Sequence, residues 1–141
     1  MSRISGPLLD RIDMHIEVPR LPHEELVRAS GCEPSSSIRE RVGRARSIQA
    51  GRFRGTGDRA RSFMCNAEMR TQDIKEFCTI TGDGQLLFEN AITRLGLSGR
   101  AYFRILRVAR TIADLAASVV IRAEHVAEAI QYRVLDRKWW D

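Results

Sequence analysis

Lysine is nearly missing from this chain. Lys75 and Lys138 are the only two, and every other member of the 23 lysines and arginines is arginine. An arginine presents a planar, permanently charged fork that grips phosphate or carboxylate by two bonds, where lysine offers a point charge. A genomic bias towards arginine is the plain alternative, because charge alone speaks for solubility and non-specific binding and not for fold. Long apolar runs are missing as well. Nothing approaches the ~20 residues of a membrane-spanning helix, and the start lacks the apolar stretch of a secretory signal, so no membrane partner and a cytoplasmic setting are expected. Cysteine is scarce: Cys32, Cys65 and Cys78 are odd in number and widely spaced. They form neither a disulfide framework nor a CxxC pattern, which predicts reduced thiols and no metal site. His15 and His125 have no acid or thiol partners at ligand spacing and are expected to be structural. Also absent are a G-x-x-x-x-G-K-[ST] phosphate cradle and an acidic cluster behind an apolar strand to hold Mg²⁺. Without both, the chain is not expected to hydrolyse ATP alone.

What remains is mostly helical. The 141 residues, 43% of them hydrophobic, suffice for one medium domain with a core. Leu8-Leu9-Asp10-Arg11-Ile12-Asp13 reads as a short helix. The alternation Met14-His15-Ile16-Glu17-Val18 reads as one strand, stopped by Pro19. One strand cannot be a sheet, since its donors and acceptors need a neighbour. The economical expectation is a sheet lying upstream, with this chain as the C-terminal part of a larger protein. Residues 1–20 are therefore expected to close an α/β core.

Residues 21–63 are expected to form an arginine-rich connector with one helix, capped by a serine at 35–37 and with its body at 39–49. Arginines 39, 41, 44, 46, 52, 54, 59 and 61 stand there against Glu40 and Asp58, and Gly51, Gly55 and Gly57 predict mobility in the second half. Residues 64–141 are expected to form a helical domain. Thr71 is the expected cap of a first helix, and Gly82-Asp83-Gly84 is expected to interrupt. A second helix over 85–95 ends at Gly96, a third runs over 99–118 from Ser98, and a last covers 123–132. Trp139-Trp140 can stack on a base or dock on another subunit, although chain ends are disordered by default.

On the long helix Arg100, Arg104 and Arg107 fall within ~60° of one another, with Arg110 somewhat aside. Ile105, Val108, Ala109, Ile112, Leu115 and Ala116 make the opposite, buried arc. The row is either an ordinary solvated face or an anion site. Arg100 stands out because it lies in the first turn, beside Ser98 and the unpaired donors of a helix start.

Three blocks carry a resemblance. Ser5-Gly6-Pro7-Leu8-Leu9-Asp10-Arg11-Ile12-Asp13, the stretch Gly96-Leu97-Ser98-Gly99-Arg100-Ala101-Tyr102 with 105–115 behind it, and 121–133 together resemble the C-terminal part of the magnesium-chelatase-like AAA+ ATPases of the ComM (YifB) type. The resemblance implies a mainly α fold: the helical lid of an AAA+ ATPase, preceded by the last strand and a short helix of the α/β core. It implies a ring of subunits, a hexamer, with ATP and Mg²⁺ at the interfaces, held by the upstream P-loop core. Arg11 resembles the arginine finger that reaches a neighbouring subunit's γ-phosphate. Arg100, with Ser98 beside it, resembles the sensor-2 arginine that touches nucleotide. It further implies DNA as substrate, in branch migration and natural transformation. Arg39, Arg41, Arg44, Arg46, Arg52 and Arg54 are then candidates for sequence-independent contact with the DNA backbone. Two other readings stay open: a stand-alone helical nucleic-acid-binding module, and the motor subunit of a true magnesium chelatase. Arg11 alone can equally be a surface arginine paired with Asp10 or Asp13.

Overall fold

A computed structural model describes residues 11–20, 32–54 and 65–133 of the chain. Among them lie five α-helices: α1 Ser35–Phe53, α2 Thr71–Phe77, α3 Gly82–Leu95, α4 Gly99–Leu115 and α5 Ala123–Gln131. A single 3₁₀ turn, Asn66–Glu68, precedes α2. The fold is mainly α, and no described helix is long and apolar enough to cross a membrane.

α4 is the organising rod. It packs against α5, α1, α2 and the 3₁₀ turn, while α3 packs on α5. Its buried positions include Ala101, Ile105, Leu106, Val108, Ala109 and Ala113. Three alanines there let neighbouring helices approach closely. Phe88 of α3 is fully buried and stacks on Tyr102 at 4.9 Å between centroids. Phe53, the last residue of α1, meets Phe77 of α2 edge to face at 5.7 Å. Each such buried ring contributes about 1.5–3 kcal/mol. α1 therefore joins the bundle through its second half, where Ala45, Gln49 and Phe53 are buried. Gly51 lies within that helix, and 55–64 fall outside the described residues.

The helix ends follow local chemistry, with differences from expectation. Gly96 ends α3 in the left-handed region at φ +57°, which glycine adopts without strain. Ser98 caps α4, its Oγ accepting the Ala101 N–H at 3.2 Å. α4 closes at Leu115, three residues before the expected end, because Ala117 turns to φ +54° and the Ser118 N–H bonds back to the Ala113 carbonyl at 2.8 Å. α1 starts after Pro34 with no serine side chain capping it. At α2 the cap position is Arg70, not Thr71, and Asp73 accepts the Arg70 N–H at 2.8 Å.

Gly82-Asp83-Gly84 does not interrupt; it is the first turn of α3. The cause is tertiary. Ile80 and Ile121 form a parallel bridge, with Thr81 N–H to the Ile121 carbonyl at 2.9 Å and Ile121 N–H to the Thr79 carbonyl at 3.0 Å. The bridge sets the starts of α3 and α5 side by side. A Cβ on Gly84 would lie 2.6 Å from Ile80 Cγ2 and 3.2 Å from the Ala123 nitrogen, so only glycine fits there.

The alternation at 14–18 does not become a strand. Met14, Ile16 and Val18 are exposed, and no described segment pairs with this stretch as a strand. The sheet neighbour that alternation needs is not among the described residues, and the segment is held otherwise, as described below. The short helix expected at 8–13 begins outside the described residues, as do Asp10 and the Trp139-Trp140 pair; Arg11 lies in a turn.

Candidate functional site

α4 begins with an uncompensated positive end. Ser98 satisfies one of the first-turn donors, which leaves the N–H groups of Gly99 and Arg100 without intrahelical acceptors. No acidic residue occupies that turn. Arg100 is exposed and has no side-chain partner among the described residues. A helix dipole, free backbone donors and an unpaired guanidinium meet at one point, a combination suited to an anion such as a phosphate.

The rest of the expected guanidinium row is not free. Arg104 Nη1 donates to the Arg11 carbonyl at 2.6 Å and to the Asp13 carboxylate. Arg107 Nη2 donates to the Met69 carbonyl at 2.7 Å. Arg110 is buried, donating to the Val119 carbonyl at 2.8 Å, the Ser118 carbonyl at 2.5 Å and Asp114 at 3.1 Å. Of the four, only Arg100 is left facing outward unpaired. The solvated-row and anion-row readings both yield to one free arginine above three structural ones.

Arg11 is exposed, and its guanidinium has no partner among the described residues. The Asp13 expected as its possible partner is taken by Arg104. The backbone of Arg11 is nevertheless fixed through its carbonyl. Arg104 lies one turn beyond Arg100, about 6 Å along the axis, so the Arg11 segment runs beside the head of α4.

The six arginines expected to meet nucleic acid divide three ways. Arg41 forks onto Glu33 at 2.6 and 3.0 Å, holding that carboxyl below its ordinary pKa, and Arg44 pairs with Glu40 at 2.9 Å. Both remain exposed, so solvent competes with the pairs. Arg52 turns inward to Asp114 and to Asn66 at 2.8 Å, which leaves it little exposed and its charge paired. Arg39, Arg46 and Arg54 are exposed and unpaired among the described residues. Arg46 and Arg54 border an open groove of about 360 Å³ along α1, with Ser47, Ala50 and Gly51 also lining it.

Asp114 was not singled out by sequence. Its side chain is fully buried and takes Arg52, Arg110 and, at 2.8 Å, the Asn66 amide. Burial outweighs the Asp114 attraction and lowers the Arg110 pKa from its ordinary value. The available signal was that Asp114 is the one acid on a helix carrying Arg100, Arg104, Arg107 and Arg110, four places after the last of these. Cys78 is buried and its thiol is pushed up to about 11 by desolvation, which removes it as a nucleophile. His125 is buried, its Nδ1 accepting the Arg122 N–H at 3.0 Å, in the structural role expected. No group of three or more His, Cys, Asp or Glu among the described residues is arranged to hold a metal ion.

Comparison with known proteins places these features in a family. The profile described as Magnesium chelatase, subunit ChlI C-terminal, matches residues 32–133, and the one described as Magnesium chelatase, subunit ChlI, matches residues 1–26, the stretch holding Arg11. Competence protein ComM of Haemophilus influenzae is 40% identical over 138 residues, covering 97% of this chain and 25% of that protein. YifB of Escherichia coli is 37% identical over 138 residues, covering 97% of this chain and 26% of that protein. The chain thus spans about a quarter of the length of these relatives.

Proposed function

Because the chain belongs to the magnesium-chelatase-like family, and within it to the ComM type, we propose that it supplies two arginines and a helical lid to an AAA+ ATPase acting on DNA. Arg11 is the finger: it reaches the γ-phosphate held by the next subunit of a ring. Arg100 is the sensor-2 arginine, meeting nucleotide from the head of α4 with Ser98 shaping the turn. Both put fixed positive charge where negative charge grows during phosphoryl transfer, an effect of about 10³–10⁵-fold in rate for such fingers. ATP and Mg²⁺ would be held by a P-loop core outside this stretch, to which the two arginines are supplied. The observation that carries the reading is that, among the described residues, Arg11 and Arg100 have unpaired guanidiniums near the head of α4, while Arg104 and Arg107 are tied down.

DNA is the proposed polymer. Support comes from Arg39 and Arg46 on α1 and Arg54 just past its end, unpaired among the described residues, and from a relative named for competence. These contacts are to backbone and independent of base sequence.

The test is a mixing assay in the assembled ATPase. One subunit type carries Arg11→Ala and the other a disabled P-loop, each nearly inactive by itself. Mixed rings are expected to recover turnover, because an intact finger then meets an intact nucleotide site across an interface. Absence of recovery in rings shown to co-assemble would withdraw the finger assignment.

A further inference from the structure

The segment that carries Arg11 is gripped from two sides by the helical bundle. From α4, Arg104 Nη1 donates to the Arg11 carbonyl at 2.6 Å and to the Asp13 carboxylate. From the turn after α5, Arg133 Nη1 donates to the Ile12 carbonyl, and the His15 N–H donates to the Tyr132 carbonyl at 2.8 Å. Consecutive carbonyls, those of Arg11 and Ile12, are thus each bound by an arginine from a different element. Arg133 is buried, although it lies just past the last helix. The contacts fall on backbone and on Asp13, and the Arg11 guanidinium has no partner among the described residues.

We propose that Arg104 and Arg133 are positioning residues that clamp the Arg11 segment to the lid, so that the finger moves with α4 and reports the state of Arg100. The inference rests on the finger reading given above. A ring subunit built in this way links two nucleotide sites: the one its lid touches through Arg100, and the one its finger reaches through Arg11. Closure of α4 on the first carries the Arg11 backbone with it. Arg104 sits four residues from Arg100 on a helix hydrogen-bonded throughout, so little motion is lost between them.

Two measurements separate the clamp from the finger reading. Hydrogen exchange on the 141-residue chain reads the clamp alone. Arg104→Ala and, from the other side, Asp13→Asn are expected to raise exchange at the His15 amide, which donates to the Tyr132 carbonyl, at least tenfold and leave α4 amides unchanged. Both side chains are partly solvent-exposed, so the bundle is expected to stay folded. ATP turnover in the assembled ATPase reads the consequence. Arg104→Ala is expected to lower kcat about 10²-fold, as an ångström of misplacement does, with nucleotide affinity changed less than threefold and with partial rescue by Arg104→Lys. Combined with Arg11→Ala it should add nothing, since both remove the same placed charge. Unchanged exchange at the His15 amide would overturn the clamp. Faster exchange with unchanged kcat, or losses that multiply in the double variant, would overturn its positioning role. If Arg11→Ala itself left turnover intact, the finger reading would fail, and the exchange result would still stand or fall on its own.

Discussion

Asp114 ties three elements together through one side chain. Its carboxylate, fully buried, takes guanidinium groups from Arg52 of α1 and Arg110 of α4, and Asn66 of the 3₁₀ turn adds an amide. Arg110 in turn binds the carbonyls of Ser118 and Val119 beyond the end of α4. Removing the acid leaves two arginines partly or wholly buried without an anion, which costs about 3–5 kcal/mol for a buried pair. Asp114→Ala is therefore expected to lower stability to urea by about that amount, whereas an effect below ~1 kcal/mol would show solvent already reaching the site. Sequence showed that the pair 110 and 114 has helical spacing, yet gave no sign that both face inward. That depended on Arg52, sixty-two positions from Asp114, and no local pattern encodes such a partner. The free side chains were more legible: Ser98 and Arg100 stand at the head of α4 as expected, because capping is decided within four residues.

At the scale of elements, local rules succeeded where the chain's own neighbours decide, and failed where another element does. Gly96 and Ser98 mark a stop and a start that the structure keeps. Gly82-Asp83-Gly84 looks like a break because glycine weakens helices by up to ~1 kcal/mol. It is helix because the Ile80–Ile121 bridge brings α5 too close for any side chain at 84. Two alanine substitutions therefore diverge. Gly84→Ala is expected to destabilise by about 1–3 kcal/mol through overpacking, since its Cβ would meet Ile80 at 2.6 Å. Gly99→Ala, where a Cβ meets nothing within 4 Å, is expected to stabilise by about 0.4–1 kcal/mol by restricting the unfolded chain. Thermal unfolding of the two variants checks both signs. The apolar positions of α1 divide in the same way. Ala45 and Gln49 are buried, but Ile38, Val42 and Ile48 remain largely exposed because only the second half of the helix meets α4.

Five of the free arginines among the described residues fall into two groups. Arg11 and Arg100 lie at the head of α4, while Arg39, Arg46 and Arg54 lie along α1. If the second group meets DNA, binding should weaken with salt at a log–log slope close to −0.9 per neutralised phosphate. Removing Arg46 and Arg54 together should flatten that slope by about 2, with equal losses on unrelated sequences. The same loss with an unchanged slope would mean the two act through structure. Arg52→Ala, by contrast, should lower stability more than it changes the slope, because its charge is already matched by Asp114. The fold class and the family blocks were legible because they rest on periodicity and on contiguous motifs. The fate of the basic stretch was not, because pairing with Glu33, Glu40 and Asp114 is a matter of side-chain geometry that composition averages away.

One consequence follows from the stiffness of α4. Its head carries Arg100, and fourteen residues later, about 21 Å along the axis, Asp114 fastens it to α1. The helix is then a rod tied near both of its ends. A tilt of about 10° at the head swings the Asp114 end by roughly 4 Å over that length, and α1, tethered through Arg52, must follow. Small rotations at one end are delivered as displacements at the other, with a gearing fixed by where a single aspartate sits in the chain.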